Sequence, residues 1–273
     1  MNAAASTVLP AAGTRSVRAL IGGEPGSGRL LGLFRTAAYL QIRGDEVVAV
    51  LTRDAVRLPC GLVLAQNSRD GPLDQLVGPI LVGDGQVSIG SLTVRLVRTR
   101  EAMVATGLSP RRESVAALWA RLETYSFSEH DPQIVHALGD YEDSAAVAQP
   151  IVDALVGAGS GLTPSGDDIL AGFLVAARAV GLPCPALADT ALLRATRNTT
   201  TLSAALLRYA GRGETIPQIA RLLHSLSSAS EPSEAALEAL TRVLAIGHTS
   251  GTAMATGVLA ACRSRLSRDP SVP

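Results

Sequence analysis

The chain has 273 residues, 47% of them hydrophobic but only 3% aromatic, with a mean hydropathy of +0.27, so Ala, Val and Leu must fill a core sized for one large domain or two modest ones. Basic and acidic residues balance at 24 each, which gives no electrostatic reason for a nucleic-acid or anionic-membrane partner. Every fixed cation is an arginine, and the lack of lysine excludes a lysine Schiff base and a Walker lysine.

Residues 1–14 are small and read as a flexible N-terminus. They lack the charged start and continuous apolar core of a signal peptide. Short strands with frequent turns come next. Tyr39–Ile42 and Val47–Leu51 flank Arg43-Gly44-Asp45 as a hairpin, and Ile80–Val82 meets Val87–Ile89 across Asp84-Gly85. Leu92, Val94 and Leu96 alternate with polar residues, the period of a half-buried strand. Gly22-Gly23 and Gly26-Ser27-Gly28 read as a glycine-rich turn, because no strand–loop–helix context surrounds them. The fold expected is α+β: an antiparallel β-rich barrel or sandwich-like domain at 15–108, then a mainly helical domain at 109–273 with a buried central helix.

The period turns helical with Val115, Leu118, Trp119 and Leu122, and the sole tryptophan reads as a packing anchor between the halves. His130 and His136 fall in a polar connection, and Pro150 is expected to open a short helix over 151–156. Helices are further expected at 186–197, 204–209, 217–226 and 234–246, with a loose segment at 227–233.

The helical half is organised around 157–179, GAGSGLTPSGDDILAGFLVAARA. A glycine-rich turn leads into a helix capped by Thr163 ahead of Pro164, or by Ser165, and stopped near Gly181 and Pro183. That helix is apolar all round, so it belongs in a core with the unpaired N–H groups of its first turn inside the protein. Such an end attracts anions and carbonyl oxygens. Asp167 and Asp168 either complement the helix dipole or meet a ligand that has both a carbonyl oxygen and an NH2 group; a Mg²⁺-bound phosphate would also suit them. Thr199-Thr200-Thr201 and Ser203 cap a later helix and form a row of hydroxyls near Arg208 and Arg212.

The last helix echoes the central one. Ser165-Gly166, Gly172, Leu174 and Ala176 have counterparts in Ser250-Gly251, Gly257, Leu259 and Ala261, so the two helix starts are expected to converge on one ligand. His248 sits at the mouth of the second start, and Ala253 stands where the first has Asp168.

Three segments, GSGLTPSGDDILAGFL, TRNTTTLSAALLRYAGRGE and AIGHTSGTAMATGVL, resemble the family of the H subunit of oxamate carbamoyltransferase, formerly a domain of unknown function. In that family an acidic residue often stands near Ala253. The resemblance implies a cytoplasmic carbamoyltransferase subunit of anaerobic allantoin breakdown, working with other subunits. Its reaction moves a carbamoyl group between oxalurate and phosphate, giving oxamate and carbamoyl phosphate. On this reading Asp167, Asp168 and His248 are the catalytic candidates. Gly159, Ser160, Gly161, Thr163, Ser165, Gly166, Thr200, Ser203, Arg208, Arg212, Thr249, Ser250 and Gly251 are the substrate-binding candidates. No resident metal is assigned, Mg²⁺ is left open as a companion of phosphate, and a homo-oligomer is left open too. The alternatives are a non-catalytic protein that binds a small anion or amide, and a nucleotide-dependent small-molecule phosphotransferase.

Overall fold

The computed structural model describes residues 7–74, 76–125, 131–227 and 234–268; His130 and most of the loose segment, 228–233, lie outside them. The chain divides into two compact units, Met1–Ala102 and Met103–Pro273. The division falls ahead of residue 108 because 103–108 are tied into the second unit. Met103 bridges Glu214, Val104 N–H donates to the Gly213 carbonyl and Leu108 N–H to that of Ala179.

The first unit is a closed barrel of eight strands: β1 (Thr7–Thr14), β2 (Gly26–Leu33), β3 (Ala37–Gln41), β4 (Val47–Leu51), β5 (Gly61–Leu64), β6 (Ile80–Gly83), β7 (Gln86–Ile89) and β8 (Leu92–Arg100). The order around the ring is β1-β5-β4-β3-β2-β6-β7-β8. Both expected hairpins form, β3–β4 and β6–β7, and Leu92 and Val94 point inward as their alternation predicts. Two seams, β1–β8 and β4–β5, are parallel rather than antiparallel. They join strands that no tight turn connects, so no local signal marks them.

The flexible N-terminus is corrected over its second half, since Thr7–Thr14 is a barrel strand. Its inward face is Leu9, Ala11 and Gly13, and with one large side chain among the three it shows no clear hydrophobic period. Thr14 then caps α1 (Arg15–Ile21) by accepting from Val17 N–H, and buried Val17 and Ile21 join the barrel core. The expected turn at 26–28 is also strand. A side chain at Gly28 would stand 2.7 Å from Ile80, so glycine there answers a close approach rather than a bend.

The second unit contains α2 (Arg112–Glu123), α3 (Pro132–Gly139), α4 (Ala145–Leu155), α5 (Ser165–Val180), α6 (Pro185–Asn198), α7 (Thr201–Gly211), α8 (Pro217–Leu226), α9 (Glu234–Leu244) and α10 (Ser250–Arg268). His136 lies in α3, a helix that begins at an Asp131 cap and Pro132. Pro150 sits inside α4 instead of opening it, because Ser144 provides the cap by accepting from Val147 N–H. Trp119 packs within this unit, edge-on to His136 and beneath the Arg263 guanidinium at 4.3 Å.

The central helix is α5, with 14 of its 16 residues buried. Each fully buried Leu, Phe or Val contributes roughly 1.5–3 kcal/mol, and Leu170, Phe173, Leu174 and Val175 are all in this class. It ends at Gly181 in the left-handed region, φ 69°, as expected. Its main neighbour is α10, and the two approach until backbone meets backbone. A Cβ on Gly172 would strike the Met254 carbonyl, and one on Gly257 would strike the Ile169 carbonyl.

Candidate functional site

The entry to α5 differs in detail from the sequence reading. Neither Thr163 nor Ser165 caps the helix. Pro164 is the N-cap, at φ −51° and ψ 137°. The first-turn donors are already engaged: Gly166 N–H reaches the Ala158 carbonyl at 2.9 Å, and Asp167 and Asp168 N–H reach that of Pro164 at 3.0 and 3.2 Å. The expected cradle of unpaired helix N–H groups is therefore absent at these three positions. Donors remain in the turn ahead of it. Among the described residues the N–H groups of Ser160, Gly161 and Leu162 donate to no backbone carbonyl. This turn is exposed at Gly159, Ser160 and Gly161. Gly159, at φ 113°, leans on the helix start, where a Cβ would stand 2.6 Å from Ser165 Oγ.

The two adjacent carboxylates have different surroundings. Asp167 is 1% exposed and accepts three hydrogen bonds, from Gly157 N–H at 2.9 Å, Ser203 Oγ–H at 2.7 Å and the Thr199 hydroxyl. It ties the glycine turn and the start of α7 to the first turn of α5. Thr200 adds a parallel tie: its hydroxyl donates to the Leu162 carbonyl at 2.5 Å while accepting the N–H of Ser203. Sequence reasoning misses Thr199 as a site residue; the one signal for it is its place beside the capping threonine.

Asp168 is 7% exposed, and its Oδ2 is buried with no hydrogen-bond partner. Burial pushes its carboxyl up to about 7, and the negative charge of Asp167 adds to this; a hydrogen bond from Ser250 pulls the other way. Ser250 also lies 3.3 Å from Thr163 Oγ1, hydroxyl to hydroxyl. The starts of α5, α7 and α10 thus meet in one polar junction, as the echo between Ser165 and Ser250 predicts for two of them.

The echo extends to the supporting helices. Gly166 presses on the Leu155 carbonyl at the end of α4, and Gly251 presses on the Val243 carbonyl near the end of α9. With the reciprocal Gly172 and Gly257 contacts, α4–α5 and α9–α10 are two versions of one helix pair, packed on each other through the same small residues.

The other candidates fall into two groups. Thr249 and Ser250 are half-buried at the α10 start, Gly251 is buried with its N–H on the Ile246 carbonyl, and His248 is exposed in the preceding turn. Arg208 and Arg212 stand further along α7 than Ser203. They lie at the far end of α7, roughly 7 and 13 Å along its axis from Ser203 at 1.5 Å per residue. There Arg212 covers the Tyr209 ring at 5.0 Å.

As a Mg²⁺ site the Asp pair fits poorly. Asp167 has its oxygens occupied, leaving one carboxylate, and among the described residues no cluster of three His, Cys, Asp or Glu is poised for a metal. The junction offers instead one partly protonated carboxyl, several hydroxyls and the N–H groups of a glycine turn. Residues 155–262 match the family model described as oxamate carbamoyltransferase subunit AllH. That segment holds the glycine turn, both carboxylates, the threonine row and most of α10, so the resemblance read from the sequence is shown over the whole junction. No solved structure matches the chain. Among the described residues no helix is long and apolar enough to cross a membrane.

Proposed function

We propose that this chain is a subunit of a carbamoyltransferase and that the junction of α5, α7 and α10 is where the carbamoyl group is handled, in the cytoplasm and together with other subunits. The observation that carries the reading is the buried, half-partnered carboxyl of Asp168 beside Ser250, set against a turn rich in backbone donors. A carbamoyl group presents an NH2 and a carbonyl oxygen. The NH2 suits the open oxygen of Asp168, and the carbonyl oxygen suits the N–H groups of 160–162, where it gains negative charge as the carbon becomes tetrahedral.

In the direction that consumes oxalurate, a phosphate oxygen attacks the carbamoyl carbon. The tetrahedral centre then collapses with cleavage of the bond to the oxamate nitrogen. The proton that phosphate loses is the one the nitrogen gains, so a single carboxyl with a value about 7 can carry it both ways. Asp167 serves this chemistry by fixing the two loops, and Thr163 and Ser250 orient the Asp168 side chain. The proposed step passes through no metal.

Asp168→Asn keeps the shape and removes the proton carrier. Carbamoyl transfer between oxalurate and phosphate, measured with candidate partner subunits present, is expected to fall by about 10²–10⁴ while the variant melts no lower than the parent. Full activity in the variant would sink this assignment. Binding of oxamate without turnover under any subunit combination would favour the non-catalytic reading.

A further inference from the structure

We infer that the barrel carries a second ligand site, separate from the helical junction, which takes an organic polyphosphate. A groove of about 390 Å³ is lined by Arg53, Arg57, Arg98 and Arg100 above an apolar floor that includes Ala11, Val63 and Val97. All of these residues belong to the first unit.

The local backbone brings the arginines together. The register between β1 and β8 slips: Ala11 faces Leu96 but Ala12 faces Arg98, leaving Val97 as an extra residue. In regular alternation Leu96 and Arg98 would share a face. The bulge breaks that pattern, so Leu96 packs on the core while Val97, 63% exposed, and Arg98 both open outward. Arg100 is held in place by the Leu58 carbonyl, which accepts its Nη2–H at 2.6 Å. Arg53 and Arg57 arrive from the crossover between β4 and β5.

Charge then selects the ligand. Among the described residues no acidic side chain lines the groove. The nearest in sequence, Asp54, is turned to Ser68, whose N–H and hydroxyl it accepts at 2.8 and 2.6 Å. Arg53, Arg57 and Arg98 pair with no carboxylate among the described residues. Four guanidinium groups around one groove repel one another, and a multiply charged anion relieves this better than a single carboxylate. The guanidinium fork matches phosphate oxygens two at a time. The apolar floor gives a planar or aliphatic body somewhere to rest, and the volume lies within the range of small-molecule sites.

Pyrophosphate and ADP are the probes, titrated calorimetrically into the full chain at low salt. Both are expected to bind saturably, ADP more tightly. The double variant Arg53→Gln/Arg98→Gln changes two exposed side chains and should weaken both by at least about tenfold with an unchanged melting curve. Asp168→Asn should bind them as the parent does, which separates this site from the helical junction. Pyrophosphate binding that is absent up to about 10 mM, or equal in parent and double variant, overturns the site. ADP binding no tighter than pyrophosphate overturns the organic part of the ligand.

Discussion

The α4–α5 and α9–α10 pairs use one scaffold for different ends. Both enter the long helix through Ser-Gly, both press that glycine on the carbonyl of the helix before, and both cross the other at a glycine six residues further on. They differ in the two residues after the Ser-Gly. The first pair has Asp167 and Asp168; the second has Thr252 and Ala253. The first also has the longer connector, 156–164 against 245–249, and with it the glycine turn. Packing is therefore shared between the halves, while the paired carboxylates are confined to one of them. A symmetric scaffold yields a polar junction with a carboxyl on one side and a hydroxyl on the other.

The shared part is the most sensitive to change. Gly257→Ala drives a methyl into the backbone of α5 at Ile169 and Phe173, where no flexible side chain can give way. A loss of roughly 3 kcal/mol or more is expected, or failure to fold, read by urea denaturation. A mild effect would mean the two helices are not locked at this crossing.

Next comes the strut that only the first pair has. Asp167→Ala leaves the Gly157 N–H without its acceptor and unties Thr199 and Ser203. About 2–4 kcal/mol should be lost, and Thr252→Ala at the matching place in α10 should cost far less. Equal losses would erase the distinction between the pairs.

The smallest effect has the opposite sign. The folded-state value of Asp168, about 7, lies above its unfolded one, so the folded protein holds an extra proton between about pH 4 and 7. The stability linked to that proton is complete below the unfolded value and is lost as pH rises through the folded one. Relative to the parent, Asp168→Asn should accordingly gain stability between pH 5 and pH 8, by a margin on the order of 2–3 kcal/mol. A margin independent of pH would mean the carboxyl is not the source.

Much of this is legible in the chain because short-range chemistry carries it. The two-residue turn at Asp84-Gly85, the Thr200 cap and the Gly181 stop each act within a few residues. The Ser-Gly echo is legible too, since backbone crossings leave glycines at a fixed spacing. Other elements leave little trace. Strand β1 hides its period behind Ala11 and Gly13, and the parallel seams join segments far apart in sequence. Nearness in sequence groups the arginines of α7 with its threonines, whereas a helix puts its two ends at opposite poles. Capping by Thr163 or Ser165 does not occur because Pro164 itself takes the cap position, and both hydroxyls are left for other contacts.

The ring of eight strands also limits how another subunit can attach to the first unit. Among the described residues every strand has a hydrogen-bonded neighbour on both sides, so no strand is a free edge along its whole length, and only stretches that outrun their partners, such as 7–10 on the β5 side and 29–33 on the β6 side, lack a strand beside them. A companion polypeptide therefore finds no full-length strand to pair with, and is left those short stretches, the side chains of the outer wall and the loops at the rims.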